Sequence, residues 1–107
     1  MFSLMIIKTH AKKAQHSHFH HVAILTRGGA IVSIGVNVGW EHAEAAALRQ
    51  LWPDHRHGLT LWSYRVTKGG RLSTAKPCVP CQELLRANGI RRVRYSDSDG
   101  NMQKMKL

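Results

Sequence analysis

With 107 residues, 43% hydrophobic and 21% charged, the chain can build one core, which excludes a disordered tail or two domains and gives a single domain over 1–107. Its longest apolar stretch, at residues 1–7, is interrupted by Ser3 and followed by Lys8; it is too short to span a bilayer and lacks a cleavage site, so the cytoplasm is the expected compartment. Sixteen Lys and Arg against six Asp and Glu leave a net charge of +10, a field that attracts polyanions and phosphorylated ligands or keeps the surface solvated.

Leu4 to Gln15 places Leu4, Ile7, Ala11 and Ala14 at helical spacing. A histidine-rich stretch, His16 to His21, leads into a hairpin. His21 to Thr26 is rich in strand formers, Gly28-Gly29 supplies the turn, and Ala30 to Gly35 returns. Glu41 to Trp52 is full of alanine and leucine and predicts a helix ending before Pro53. Leu59 to Thr67 alternates as a strand, with Trp62, Tyr64 and Val66 on one side and Leu61, Ser63 and Arg65 on the other. Pro77 to Ala87 predicts a second helix, opened by proline and closed at Asn88-Gly89. Ile90 to Ser96 is a strand, and Ser98-Asp99-Gly100 turns the chain into a last strand ending at Leu107. The predicted order α-β-β-α-β-α-β-β gives an α/β fold in which a sheet is packed with helices.

Two stretches carry chemistry. His42-Ala43-Glu44 opens the alanine-rich helix, and Pro77-Cys78-Val79-Pro80-Cys81 opens the next. Cys78 and Cys81, the only cysteines, close almost no loop and make a poor disulfide staple; they read as a metal or redox pair in a reducing compartment. Their i, i+3 spacing puts both sulfurs on one helix face, and the helix N-terminus is expected to lower their thiol pKa values. Joined by His42, they make a three-ligand zinc site of the catalytic kind, with Glu44 placed to shuttle protons.

H-x-E followed by P-C-x-x-C is the signature of zinc nucleobase deaminases. From about His20 onward the chain resembles the cytidine and deoxycytidylate deaminase superfamily. Ser33-Ile34-Gly35-Val36-Asn37 is similar to that family's second strand, and Lys76-Pro77-Cys78 to the entry of its second zinc motif. Leu84-Leu85 with Gly89-Ile90 and Val93 is similar to the helix and strand that follow. The resemblance implies a three-layer fold with a mixed five-stranded sheet, one Zn²⁺ per chain on His42, Cys78 and Cys81, and Glu44 as the catalytic residue. It also implies Asn37 at the sugar and the backbone N–H groups near Ala43 and Cys78 at the base carbonyl. Trp40 and Tyr95 are candidate aromatic walls for the base. The implied reaction converts cytosine to uracil in a pyrimidine nucleoside or nucleotide, with adenine as the less favoured base. Cytosine within single-stranded DNA or RNA is the alternative substrate, and relatives lead one to expect a homo-oligomer.

The chain departs from the family pattern at two points. Four residues separate Asn37 from His42, where relatives often carry a longer loop, so an open site is expected. After Tyr95-Ser96 there is no room for the extra helix of deoxycytidylate and tRNA-adenosine deaminases, and the turn at Asp99-Gly100 makes the last two strands antiparallel. That arrangement resembles free-cytidine deaminases and several bacterial DNA-targeting deaminase toxins; the former usually have a third cysteine where this chain has His42, which leaves the substrate class open.

Other readings of the same residues stand beside these. Cys78 and Cys81 alone suit a redox pair, although no proline follows Pro80 to face them. A structural zinc site leaves Glu44 unexplained and lacks a fourth protein ligand, and a binding module without activity has no use for Glu44. His16, His18, His20 and His21 form either a second metal site or surface histidines flanking a strand. His55 and His57 are expected in an exposed loop, Lys76 to meet a phosphate or solvent, and Trp62 and Tyr64 to pack in the core.

Overall fold

A computed structural model of the protein describes residues 2–12, 19–38 and 41–107. In chain order the elements are α1 (Leu4–Ala11), β1 (Phe19–Arg27), β2 (Ala30–Val36), α2 (Ala43–Arg49), a 3-10 turn (Pro53–His55), β3 (Thr60–Thr67), β4 (Leu72–Ser73), α3 (Val79–Ala87), β5 (Arg92–Ser96) and β6 (Met102–Lys106).

Ser3 starts α1, its Oγ accepting the Ile6 N–H at 3.2 Å. The predicted extension of this helix to Gln15 runs into residues 13–18, outside the described residues. Gly28 and Gly29 both carry positive φ, +57° and +85°, as a tight hairpin turn matching the strand twist requires. β1 also pairs antiparallel with β3, from Phe19↔Thr67 to Thr26↔Thr60. The sheet runs β2-β1-β3-β5-β6, with β3 and β5 parallel, the other pairs antiparallel, and β4 paired to β3. With β1 along one edge of β3, β4 and β5 share the other. The mixed sheet and the antiparallel final pair agree with the sequence reading.

Strand alternation sorts the core into two clusters on opposite faces. Val22, Ile24, Tyr64 and Val66 pack with Ile7 and Ala11 of α1. Ala23, Leu25, Leu61 and Val93 pack with Ala43, Ala47 and Leu48 of α2 and Leu85 of α3. Three layers result, with α1 on one side and α2 and α3 on the other. Tyr64 is fully buried and Trp62 half-buried, each meeting the Phe2 ring edge-on. Among the described residues no helix is long and apolar enough to cross a membrane.

Three boundaries of α2 and α3 differ from the sequence reading. α2 starts at Ala43, not Glu41, because Glu41 and Val38 exchange two backbone hydrogen bonds of 3.0 and 3.2 Å that hold Glu41 extended. It ends at Arg49, not Trp52, because Trp52 precedes Pro53 and takes the extended conformation that opens the 3-10 turn. Cys78 is extended at φ −67°, ψ 164°, so α3 starts at Val79 rather than Pro77. β4, two residues long, carries too little pattern to be read from sequence.

Gly35 on β2 decides how α2 sits. A Cβ there would overlap the Ala47 nitrogen and the Ala43 oxygen of the α2 backbone. Only a residue without a side chain lets the helix settle this close. Two further bonds clamp it: Ser33 Oγ donates to Ala47 O, and Gln50 Nε2 donates to Ile34 O at 2.6 Å. Replacing Gly35 with alanine is expected to cost about 1–3 kcal/mol through overpacking. A urea unfolding midpoint that falls at constant slope bears this out; an unchanged midpoint means that α2 is not seated on the strand backbone.

Candidate metal centre

His42 and Cys78 occupy equivalent places, the residue immediately before α2 and before α3, both extended and neither capping its helix with its side chain. The two helices lie side by side on one face of the sheet, which brings their starts together. His42 Nδ1 lies 3.1 Å from Cys81 Sγ and 3.9 Å from Cys78 Sγ. The three candidate ligand atoms all fall within 4.8 Å of one another. His42 and Cys78 are exposed and Cys81 is buried. One imidazole nitrogen and two sulfurs suit zinc, and three protein ligands leave a coordination position for a reactant. Among the described residues this is the only group of three or more such side chains close enough to share an ion.

Glu44 lies one helical step inside α2, 1% exposed. Its Oε1 makes no hydrogen bond and lies 3.5 Å from His21 Nδ1. On its other side, His21 Nε2 lies 2.6 Å from Ser63 Oγ, which in turn donates to Ala75 O at 2.9 Å. With the Ser63 hydrogen committed to Ala75, its oxygen accepts from Nε2–H. That leaves Nδ1 facing the carboxylate, as an acceptor in the neutral imidazole that burial favours. A proton carried on Glu44 Oε1 therefore has an acceptor beside it.

Burial lowers the His21 pKa despite the opposing pull of Glu44, and Arg65 and His42 lower it further. Burial first, then the Glu44 carboxylate and Cys78, pushes the Cys81 thiol well above its usual range. The expectation that a helix start would lower this thiol's pKa fails: removal from water and a nearby negative charge outweigh the helix dipole. The thiol keeps its proton until a cation displaces it.

The remaining predicted residues lie as follows. Asn37 extends the hairpin, its Oδ1 accepting the His21 N–H at 2.8 Å. Ala43 is fully buried as the first residue of α2. Tyr95 is half-buried on β5, its ring packed against the cluster that includes Leu85 and Val93. Trp40, His16 and His18 lie outside the described residues. His55, His57 and Lys76 are exposed. His21 is the residue that sequence reasoning misplaced. Rather than joining its histidine neighbours, it shares the strand face of Ala23 and Leu25 and turns inward. The period-2 pattern from Leu25 back through Ala23 to His21 was the available signal.

Compared with known families, residues 2–97 match the model described as the cytidine and deoxycytidylate deaminase zinc-binding region. No curated protein matches the chain. The His, Cys, Cys group fits a single zinc ion of that region.

Two outcomes follow from this centre. Elemental analysis is expected to give one zinc per chain, lost in Cys81→Ser, with affinity in chelator competition rising between pH 6 and 8 as the thiol proton is displaced more easily. A pH-independent affinity would remove Cys81 from the ligand set. Because the native His21 pKa lies below its ordinary 6.5, its contribution to stability is present above that pH and is lost as pH falls through the native value. His21→Gln, loaded with zinc and melted alongside the parent between pH 5 and 7, should show a shallower acid loss. Parallel curves would refute the buried neutral histidine.

Proposed function

Because the chain belongs to the cytidine and deoxycytidylate deaminase family, we propose that it hydrolyses the exocyclic amine of cytosine in a pyrimidine nucleoside or nucleotide, releasing ammonia and leaving uracil. The observation that carries this reading is the buried Glu44 carboxylate, with a hydrogen-bond-free oxygen beside the His42, Cys78 and Cys81 group. A structural metal site has no need of such a group, because a buried carboxylate without a full set of partners is costly to keep.

Zinc, held by His42, Cys78 and Cys81, would supply Lewis acidity that lowers the pKa of a water to about 7. Glu44 takes a proton from the attacking water at Oε1 and delivers it to ring N3 as the water's oxygen adds to C4. It then carries the second proton to the exocyclic nitrogen, the C4–N4 bond breaks, ammonia leaves, and Glu44 returns to carboxylate. Through both transfers His21, oriented by Ser63, offers Nδ1 to the protonated carboxyl. In this reading the backbone N–H groups near Ala43 and Cys78 hold the base carbonyl, Asn37 contacts the sugar, and Trp40 and Tyr95 flank the base. The free cysteines suit a reducing compartment. We accordingly propose the cytoplasm as the site of action and, from the resemblance to relatives that assemble, a homo-oligomer as the working form.

A second reading, cytosine within single-stranded nucleic acid, draws on the exposure of His42 and Cys78 and the net charge of +10. Salt separates the two, since counterion release makes polymer binding fall steeply with ionic strength while a nucleoside is scarcely affected. Zinc-loaded protein would be incubated with cytidine, deoxycytidine, their monophosphates, adenosine, and single-stranded DNA and RNA, with product read by mass spectrometry. Conversion of cytosine monomers is expected. Glu44→Gln should retain zinc and lose about 10²–10⁴ in turnover. Turnover confined to polymers would replace the first reading with the second, and no turnover of any substrate would reject both.

A further inference from the structure

The sheet face opposite the metal centre carries a feature that deamination does not use. Arg92 pairs with Lys106 and Arg94 with Lys104 across β5 and β6, while Thr60 and Trp62 of β3 stand beside Arg92 and Arg94. Val93, Tyr95 and Met105 point into the core beneath α2 and α3, so alternation sends these four cations together to the other side. There α1 packs on β1 and β3. Arg92, Lys104 and Lys106 are exposed and Arg94 is half-buried.

Spacings of roughly 7 Å along a strand and 5 Å between strands make the four charges a compact grid. No carboxylate neutralises it: the ion pairs among the described residues are His21–Glu44 and Arg49–Glu41. At such spacings the charges lie within one Debye length of their neighbours, about 8 Å at physiological ionic strength, and repel one another. A helix seeking an apolar bed gains nothing here, whereas a polyanion does.

The grid continues into a depression. Arg92 and Arg94 line a hollow of about 290 Å³ with Lys104 and Lys106, and also one of about 420 Å³ with Phe2, Thr26, Thr60 and Trp62. The Trp62 ring is held in place, its Nε1–H donating to Thr26 Oγ1 at 3.2 Å and Phe2 standing edge-on at 5.4 Å between centroids. Phosphate-spaced cations running into a hollow with a fixed indole are the two elements that recognise a nucleic-acid strand: charge for the backbone and a π surface for a base.

We propose that this face is a binding surface for single-stranded nucleic acid, separate from the metal centre and on the other side of the sheet. Phosphates lie along Arg92, Arg94, Lys104 and Lys106, and a base enters the hollow against Trp62. The surface works whether the deaminated cytosine is free or part of a polymer, because it holds a strand without presenting it to Glu44.

The test is binding, read without turnover. Fluorescence anisotropy with labelled single-stranded 12-mers of DNA and RNA would be followed from 50 to 200 mM salt, using zinc-loaded protein and Arg92→Gln/Lys104→Gln. The double variant is expected to bind about tenfold more weakly, with a salt slope shallower by about 1.4, as two lost phosphate contacts require on a single strand. Arg92→Lys/Arg94→Lys should keep the parent slope, which separates loss of charge from damage to the fold. Unchanged affinity and slope in the double variant would overturn the proposal. So would release of the strand by anionic phosphatidylserine vesicles or dextran sulfate at matched charge, since the face would then be a site for any polyanion.

Discussion

The close approach of α2 to the β2 backbone at Gly35 is the contact on which the rest of the molecule depends. Without a side chain at Gly35, the helix backbone comes down onto the strand, and Ser33 and Gln50 tie it there by bonds to Ala47 and Ile34. The start of α2 is thereby held against the sheet, with Ala43 and Glu44 buried and His42 left at the rim. A larger residue would lift the helix, and with it both the ligand and the proton carrier. The alanines on α2 serve the same end, since small side chains permit the tight seat that Gly35 opens.

The metal centre is assembled where the local structure is least satisfied. Serine, threonine, aspartate and asparagine are the residues that cap helix starts, yet α2 and α3 are preceded by His42 and Cys78, which provide no side-chain cap. Glu44 is buried with an oxygen that makes no hydrogen bond, and the Cys81 thiol is driven toward its protonated form. Each of these choices costs stability on its own. A cation shared by His42, Cys78 and Cys81 offsets them together, which couples metal binding to the integrity of both helix starts.

Alternation divides the sheet between two tasks. The face carrying His21, Ala23 and Ser63 packs under α2 and α3 and supports the carboxylate from below. The face carrying Trp62, Arg92 and Arg94 is covered by α1 over β1 and β3, and beyond that cover it presents charge. A net charge of +10 is thus not spread evenly: part of it is gathered by strand register onto one surface, with the chemistry on the other.

Local chemistry was legible in the amino-acid sequence. His42 to Glu44 and Cys78 to Cys81 each fall within one helical turn, and their resemblance to the H-x-E and P-C-x-x-C signature, rather than spacing alone, pointed to the ligand set and the proton carrier. Gly28-Gly29 marked the hairpin, and Asp99-Gly100 marked the turn that makes β5 and β6 antiparallel. What depends on register or on packing between distant segments was decided only in three dimensions. His21 faces Glu44 and Ser63 because β1 lies between β2 and β3 beneath α2, and Arg92, Arg94, Lys104 and Lys106 form one grid because Arg92 pairs with Lys106 rather than a neighbour. A one-residue slip would send each of these side chains to the other face, and no spacing within a single segment records which alignment the sheet adopts.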